Sequence, residues 1–190
     1  MGKIEKLYGK MDMATYLEEY VNVSEFLECC QACDSYGKIW SCPEYDFDVL
    51  EYWRRFDYIH IYGSKIIFDE ETIETDRTED ELTLFIENIL RVEKNNLSEI
   101  LFDLEARYPG SISLSAGSCH LCEPCTKLEK QPCKYPKKMR YSMESLGGNV
   151  AQACSKILGV ELLWSKENKL PKYFVLVSAL LAKDEFVVFK

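Results

Sequence analysis

The sequence predicts an α/β fold in the form of a small α+β sandwich: a mixed or antiparallel sheet covered by helices on one face, with cysteine-rich metal-binding loops. Two kinds of hydrophobic periodicity, one typical of strands and one of helices, follow each other along the chain. Eight of the nine cysteines are confined to two segments, residues 29–43 and 117–144, instead of being scattered through apolar elements. With 190 residues, 47% of them hydrophobic, residues 1–190 are expected to form a single domain.

The charge balance excludes several partner classes. The 32 acidic and 23 basic residues give a net charge of −9 at pH 7. Because repulsion from phosphate opposes binding, we expect no nucleic-acid partner and no membrane partner. No apolar run reaches the roughly 18 residues of a membrane helix, and the first residues lack the apolar core of a signal peptide. We therefore expect a cytoplasmic protein, in which cysteines serve as metal ligands more often than as disulfides.

Local patterns predict the elements of the N-terminal third. Residues 13–31 have helical periodicity, with Ser24 as a candidate cap for the second half. Residues 48–55 predict a short helix. Residues 58–68 are rich in aromatic and β-branched side chains and predict a strand, broken near Gly63.

Capping signals and periodicity predict the remaining elements. Thr78 and Glu81 fit a capping box at the start of a long amphipathic helix, which follows an acidic, solvated loop. A strand over residues 111–116 runs directly into the second cysteine segment, and Asn149 is a plausible N-cap of a helix of about ten residues. Two further strands are predicted over residues 160–164 and 173–181.

The second cysteine group carries the clearest chemical signal. Two residues separate Cys119 from Cys122 and Cys122 from Cys125, and Cys133 follows after seven intervening residues. Ferredoxin-like loops use this tandem spacing to hold three irons of a [4Fe–4S] cube, with the fourth ligand supplied from elsewhere. The spacing therefore favours a [4Fe–4S] cluster. Zinc held by four thiolates, or a thiol redox site, stays open as an alternative.

The first cysteine group offers three clear metal ligands, Cys30, Cys33 and Cys42. Cys29 is adjacent to Cys30, and neighbouring cysteines seldom bind the same centre. Three thiolates would leave one iron of a cube open to a substrate or another protein; alternatively, these sulfurs complete a zinc site. The sequence thus leaves open whether there are one or two metal centres.

The segment after the second group is basic, although the whole chain is acidic. Between residues 126 and 140 there are six bases and one acid. These bases can offset the negative charge of a thiolate-bound cluster or dock an acidic redox partner, but most of the lysines are expected simply to be solvated. We expect Arg140 to pair with Glu144 at helical spacing; binding of a small anion or a carboxylated substrate is the alternative.

Several motifs together resemble one protein family. They are Cys30-x2-Cys33-x2-Tyr36-Gly37-Lys38-x-Trp40-x-Cys42-Pro43, Gly117-Ser118-Cys119-x-Leu121-Cys122-x2-Cys125, Pro132-Cys133-x2-Pro136 and Arg140-x-Ser142-Met143-Glu144. The chain resembles the predicted metal-binding proteins called domain of unknown function 2284, which occur largely in anaerobic bacteria and archaea. Glu44 and Lys134 depart from the family pattern, but every sulfur is kept. The resemblance implies a metal or iron–sulfur protein without a settled reaction, and its last motif adds Arg140, Ser142 and Glu144 as candidate cofactor-binding residues.

We therefore predict a protein with one or two [4Fe–4S] clusters that acts in electron transfer or as a redox accessory protein. Its partner would be a redox protein or a small molecule. The chain has no glycine-rich nucleotide-binding motif and no hydrolase signature. An enzyme that uses an open-iron cluster on a small molecule and a zinc-stapled interaction module are the alternatives, and no catalytic residue can be assigned. We expect His60 to be structural and Cys154 to be part of the core.

Overall fold

Four antiparallel strands form the centre of the structure, a computed structural model that describes residues 2–185. Their order in the sheet is β1-β2-β4-β3. The strands are β1 (Ile4–Asp12), β2 (Tyr58–Ile67), β3 (Ile112–Leu114) and β4 (Tyr173–Ala182). The helices are α1 (Met13–Tyr20), α2 (Val23–Gln31), α3 (Val49–Arg54), α4 (Glu70–Glu74), α5 (Glu79–Arg107) and α6 (Val150–Ile157). The predicted α+β fold with an antiparallel sheet is confirmed.

Helices cover both faces of the sheet, so the prediction of a single covered face is wrong. On one face, Ile59 and Ala179 belong to a core that also contains side chains of α1, α3 and α6. On the other face, Tyr62 and Leu180 pack with Leu101 of α5. The reason lies in the two inner strands, β2 and β4, whose side chains are largely buried in both alternating positions.

Three points of the strand prediction also need correction. Strand β1 was not predicted, because it is an edge strand whose lysines and acids obscure the alternation of its apolar residues. Residues 160–164 form no strand; the edge of the sheet next to β4 is taken by β3. The predicted break at Gly63 is absent, since β2 pairs continuously with β1 and β4. Gly63 is closely packed there, since an added Cβ atom would lie 2.9 Å from Cδ1 of Leu158 and 3.0 Å from the Cβ of Leu7.

Side-chain caps fix the helix starts. Asp12 caps α1, and Asn22, not Ser24, caps α2, because the helical segment 13–31 is interrupted at Val21, which bridges to Gly148. The Thr78–Glu81 capping box of α5 and the Asn149 cap of α6 are confirmed. Among the described residues, no helix has the length and apolar character needed to span a membrane.

The short segment from Glu144 to Asn149 is held against the junction of α1 and α2. The Asn22 amide donates a hydrogen bond to the Gly147 carbonyl (2.8 Å), and the Asn149 amide donates to Tyr20 (2.7 Å). The indole of the fully buried Trp53 donates to the Leu146 carbonyl (2.9 Å). These bonds hold the segment that carries Glu144 against the start of α2.

Gly147 is the weak point of this attachment, and we expect Gly147→Ala to destabilise the protein by about 1–3 kcal/mol. Its φ of +80° disfavours an L side chain, and an added Cβ would lie 2.7 Å from the Cα of Val23. Urea unfolding would measure the loss. Gly110→Ala is the matched control, because Gly110 also has positive φ (+92°) but no atom within 4 Å of an added Cβ. Equal losses of unfolding free energy in both variants would contradict the proposed close contact between residue 147 and Val23.

Candidate metal centre

The first cysteine group lies at the C-terminal end of α2 and in the loop that follows. Cys29 and Cys30 are in the last turn of α2, whereas Cys33 and Cys42 lie in the irregular segment before α3. Cys42 is buried, Cys30 is half-buried, and Cys29 and Cys33 are exposed. Adjacent residues of a helix project about 100° apart, so Cys29 and Cys30 do not point in the same direction.

The second group occupies the long irregular connection that begins after β3. Cys119, Cys122, Cys125 and Cys133 are all half-buried, and a single turn of 3₁₀ helix (Thr126–Glu129) lies between the last two. The segment returns to the sheet region through a parallel bridge between Ser115 and Ser142. The predicted location of the group, directly after a strand, is therefore confirmed.

The two groups are neighbours in space although they are distant in sequence. The amide of Cys119 donates a hydrogen bond to Ser41 Oγ (2.9 Å), the side chain next to Cys42. The indole of Trp40 donates to the carbonyl of Gln131 (3.2 Å). Backbone and side chains of the first loop thus hold the second loop in place.

Lys127 strengthens this connection and is not simply solvated, so the expectation for the basic segment is wrong at this position. Its Nζ donates to the carbonyls of Ile39 (3.4 Å), Cys42 (3.1 Å) and Glu44 (3.4 Å). The ammonium also lies 5.6 Å from the centre of the Trp40 ring. One side chain of the second loop therefore fixes the backbone around a cysteine of the first.

The thiols of both groups share one electrostatic environment. Burial raises the pKa of Cys30, Cys42 and Cys119 above the ordinary value, because a thiolate loses hydration there. Negative charge on Cys33 or Cys119 raises the pKa of Cys42 further. A bound metal ion reverses this effect, since its charge favours the thiolate form.

Lys94 brings a half-buried cation from α5 into the same environment. Its Nζ donates a hydrogen bond to the carbonyl of Ser118, next to Cys119. Burial lowers the pKa of Lys94, while Cys119, Glu144 and Cys42 act in the opposite direction. The ammonium therefore lies where it offsets negative charge from both cysteine groups.

The predicted pairing of Arg140 with Glu144 is wrong. Arg140 instead forms a bidentate ion pair with Glu105 of α5. The Nε–Oε1 and Nη2–Oε2 distances are 2.8 and 2.5 Å. Its guanidinium also lies 4.9 Å from the centre of the Phe102 ring. Arg140 follows an extended connection rather than a helix, so the spacing of four residues does not bring it to Glu144.

Ser142 and Glu144, the other candidate cofactor-binding residues, lie in different surroundings. Ser142 is buried and exchanges hydrogen bonds with Ser145: the Ser142 amide donates to Ser145 Oγ, and the Ser145 amide donates to Ser142 Oγ. Ser142 is therefore used in a local turn. Glu144 has a solvent-shielded oxygen, Oε2, without a hydrogen-bond partner.

The comparison with protein families agrees with this concentration of thiols. Residues 18–181 match the family described as "Predicted metal-binding protein (DUF2284)". The chain belongs to the DUF2284 family. Comparisons with curated proteins and with solved structures each found no match for this DUF2284 protein.

The thiols of this DUF2284 protein are suitable metal ligands, but their positions do not form a metal-binding arrangement. Four half-buried thiols in one loop match the number and softness of ligands that an iron–sulfur cluster or zinc requires. Within residues 2–185, however, no three His, Cys, Asp or Glu side chains are positioned to hold a metal ion. Metal binding at either cysteine group would require the thiols to move closer together.

Two other predictions about single residues are confirmed. Nδ1 of His60 and the hydroxyl of Tyr8 form a hydrogen bond of 2.8 Å on neighbouring strands, and Cys154 is fully buried in the core. Sequence reasoning missed Lys94 and Ser41, since a lysine in an amphipathic helix and a serine beside a cysteine carry no local signal of contact with a distant loop.

His120, within the second group, contacts Asn95 through Nε2 (2.9 Å).

Proposed function

We propose that this DUF2284 protein holds a [4Fe–4S] cluster on Cys119, Cys122, Cys125 and Cys133 and acts in electron transfer or as a redox accessory protein. The observation that carries the proposal is the loop itself, in which four half-buried thiols lie within a single irregular segment. When bound, such a cluster supplies one-electron redox chemistry, with a potential set by charge, hydrogen bonds and exposure. Lys94 and Lys127 bring positive charge to the thiolates, which favours the reduced state.

The surface around this loop supports a redox partner protein. Leu128 and Tyr135 are 55% and 39% exposed, which is unusual for large apolar side chains. They lie among exposed lysines on a protein that is otherwise acidic. Exposed apolar side chains among positive charges favour a partner with an acidic surface, whose encounter is guided by charge.

The first cysteine group supports a second candidate, an enzyme that uses an open iron on a small molecule. Cys30 lines a cavity of about 510 Å³, together with Tyr36, Tyr45 and Glu144. A cavity beside a three-thiol group leaves space for an external molecule. A zinc-stapled interaction module needs no such space and no redox chemistry.

Metal analysis of anaerobically isolated protein tests the proposal. We expect a brown protein with iron and acid-labile sulfide in equal amounts, about four of each for every cluster. A colourless protein that holds only zinc, even after reconstitution with iron and sulfide, would contradict it and favour the zinc module. Purification must avoid oxygen, because exposed clusters are oxidised.

Substitution of one cysteine tests the assignment of ligands. We expect Cys122→Ser to remove most of the iron of the second group, because a hydroxyl is a much poorer ligand for iron in a cluster than a thiolate. Cys154→Ala is the matched control, since it removes a thiol that lies in the core. Iron and sulfide contents should fall in the first variant only. Equal iron in Cys122→Ser and in the parent protein would rule out this cysteine as a ligand.

A further inference from the structure

The Glu144 carboxyl group has one oxygen that no neighbouring residue satisfies. Its Oε2 is shielded from solvent and has no hydrogen-bond partner among the described residues. Burying a charged oxygen without a partner costs several kcal/mol, so such a group is rare unless an ion or a water molecule completes its contacts. The motif from Arg140 to Glu144 therefore ends in an oxygen atom that is free to bind a ligand.

The surroundings of Glu144 point to the first cysteine group. Glu144 and Cys30 line the same cavity of about 510 Å³, and charge on Glu144 acts on the thiol of Cys30. The hydrogen bonds of Gly147 and Asn149 to the α1–α2 junction hold the glutamate segment against the helix that carries Cys30. Glu144 and Cys30 thus line one cavity from two elements that pack against each other.

The Ser142 hydroxyl interacts with the Glu144 carboxyl, but Oε2 has no hydrogen-bond partner, and the nearby cations are held by other groups. Lys94 acts on Glu144 electrostatically, and its Nζ donates a hydrogen bond to the carbonyl of Ser118. Arg140 is paired with Glu105. The hydroxyl of Tyr16 is buried near Glu144 and also has no hydrogen-bond partner. Oε2 of Glu144 is therefore available to a ligand, such as a metal ion, that binds in the cavity.

We infer that Glu144 supplies an oxygen ligand to a metal centre whose other ligands are Cys30, Cys33 and Cys42. Three thiolates leave one position of a tetrahedral zinc site, or one iron of a cube, without a protein ligand, and carboxylate oxygen is an accepted donor for both metals. Cys29 is a poor candidate for this position, because it directly precedes Cys30 on the same helix and projects about 100° away from it. This inference rests on the proposed metal binding at the first group.

Cobalt(II) is a suitable probe, because its visible spectrum reports the number of thiolate ligands. The test uses the full chain with Cys122→Ser and Cys125→Ser, which disable the second group. We expect Glu144→Gln in this background to weaken Co²⁺ binding at least tenfold and to change the ligand-field bands. Glu144→Cys should restore binding and increase the thiolate-to-cobalt charge-transfer absorption, which shows that a loss in Glu144→Gln is not a failure to fold.

Two controls separate a ligand from a structural residue. Glu93 is another buried glutamate, but it is fully partnered by Lys6 and Ser64, so Glu93→Gln should leave the Co²⁺ spectrum and affinity unchanged. Cys29→Ser should likewise retain the metal, whereas Cys33→Ser should lose it.

Three outcomes would overturn the inference, and they can be distinguished. Unchanged affinity and spectrum in Glu144→Gln would remove Glu144 as a ligand but leave metal binding at the first group intact. Loss of metal in Cys29→Ser as complete as in Cys33→Ser would identify a four-cysteine site. Absence of Co²⁺ binding in the background protein, with Glu144 present, would remove the first centre altogether. The cluster proposed for the second group is tested separately by its iron content.

Discussion

Removal of the metal is expected to lower the melting temperature by about 10 °C. A ligand that binds only the folded protein stabilises it by about 4 kcal/mol when its concentration is a thousand times the dissociation constant. For a chain of 190 residues, each kcal/mol changes the melting temperature by about 2–4 °C. Calorimetry of metal-loaded and chelator-treated protein measures the difference, and equal melting temperatures would contradict a contribution of metal to folding.

The same experiment should show where the stability is lost. None of the eight cysteines of the two groups belongs to the three buried hydrophobic clusters that hold the helices on the sheet. The loops are joined by few contacts, among them those of Ser41, Trp40 and Lys127. Proteolysis of the metal-free protein should therefore begin near residues 33–45 and 119–135, while circular dichroism of the strands and helices is retained. Early cleavage within β2 or α5 would contradict this separation.

The elements that the sequence predicts correctly are those with local signals. Thr78 and Glu81 lie three residues apart, and the capping box they form needs no contact from elsewhere. The same holds for the Asn149 cap of α6 and for the aromatic and β-branched strand β2. In each case the stabilising interaction is encoded within a few residues.

The elements that the sequence does not predict depend on distant partners. Strand β1 becomes a strand because β2 offers it a hydrogen-bonding edge, for example where Lys6 pairs with Ser64. The segment 160–164 has a strand-like composition but finds no free edge. The covering of both sheet faces likewise follows from the placement of α5, which no short-range pattern specifies.

The candidate site divides in the same way. Cysteine spacing alone predicts which residues group together along the chain, and the structure adds that the two groups are neighbours joined through Ser41 and Cys119. Lys94 and Glu105 reach the site from one long helix, and their partners lie in another part of the chain. Arg140 is the clearest example of what sequence spacing cannot predict. A spacing of four residues predicted a pair with Glu144, whereas the fold places Arg140 beside Glu105, 35 residues away in sequence.

Arg140→Ala is expected to destabilise the protein by about 3–5 kcal/mol, because it leaves the carboxylate of Glu105 buried without its cation. The two side chains are only 13% and 16% exposed, so solvent screens the pair weakly. Arg140 also donates to the carbonyls of Lys137 (3.0 Å) and Met139 (2.8 Å) and so fixes the end of the second cysteine loop. Arg54→Ala is the matched control: its pair with Glu51 is exposed, and we expect a change below about 1 kcal/mol.

The difference between the parent protein and Arg140→Ala should shrink as the pH falls. Burial alone would raise the pKa of Glu105, but hydrogen bonds from Arg140 and Ser113 outweigh it and hold this pKa below its ordinary value of 4.5. A carboxyl group with a lowered pKa stabilises the folded state fully above its unfolded pKa, and this contribution is lost as the pH falls through the folded value. Glu93 also has a lowered pKa, but it is present in both proteins and cancels from the comparison. Urea unfolding at pH 7 and at progressively lower pH measures the difference, and a constant gap across this range would show that the ionised Glu105 carboxylate is not what Arg140 stabilises.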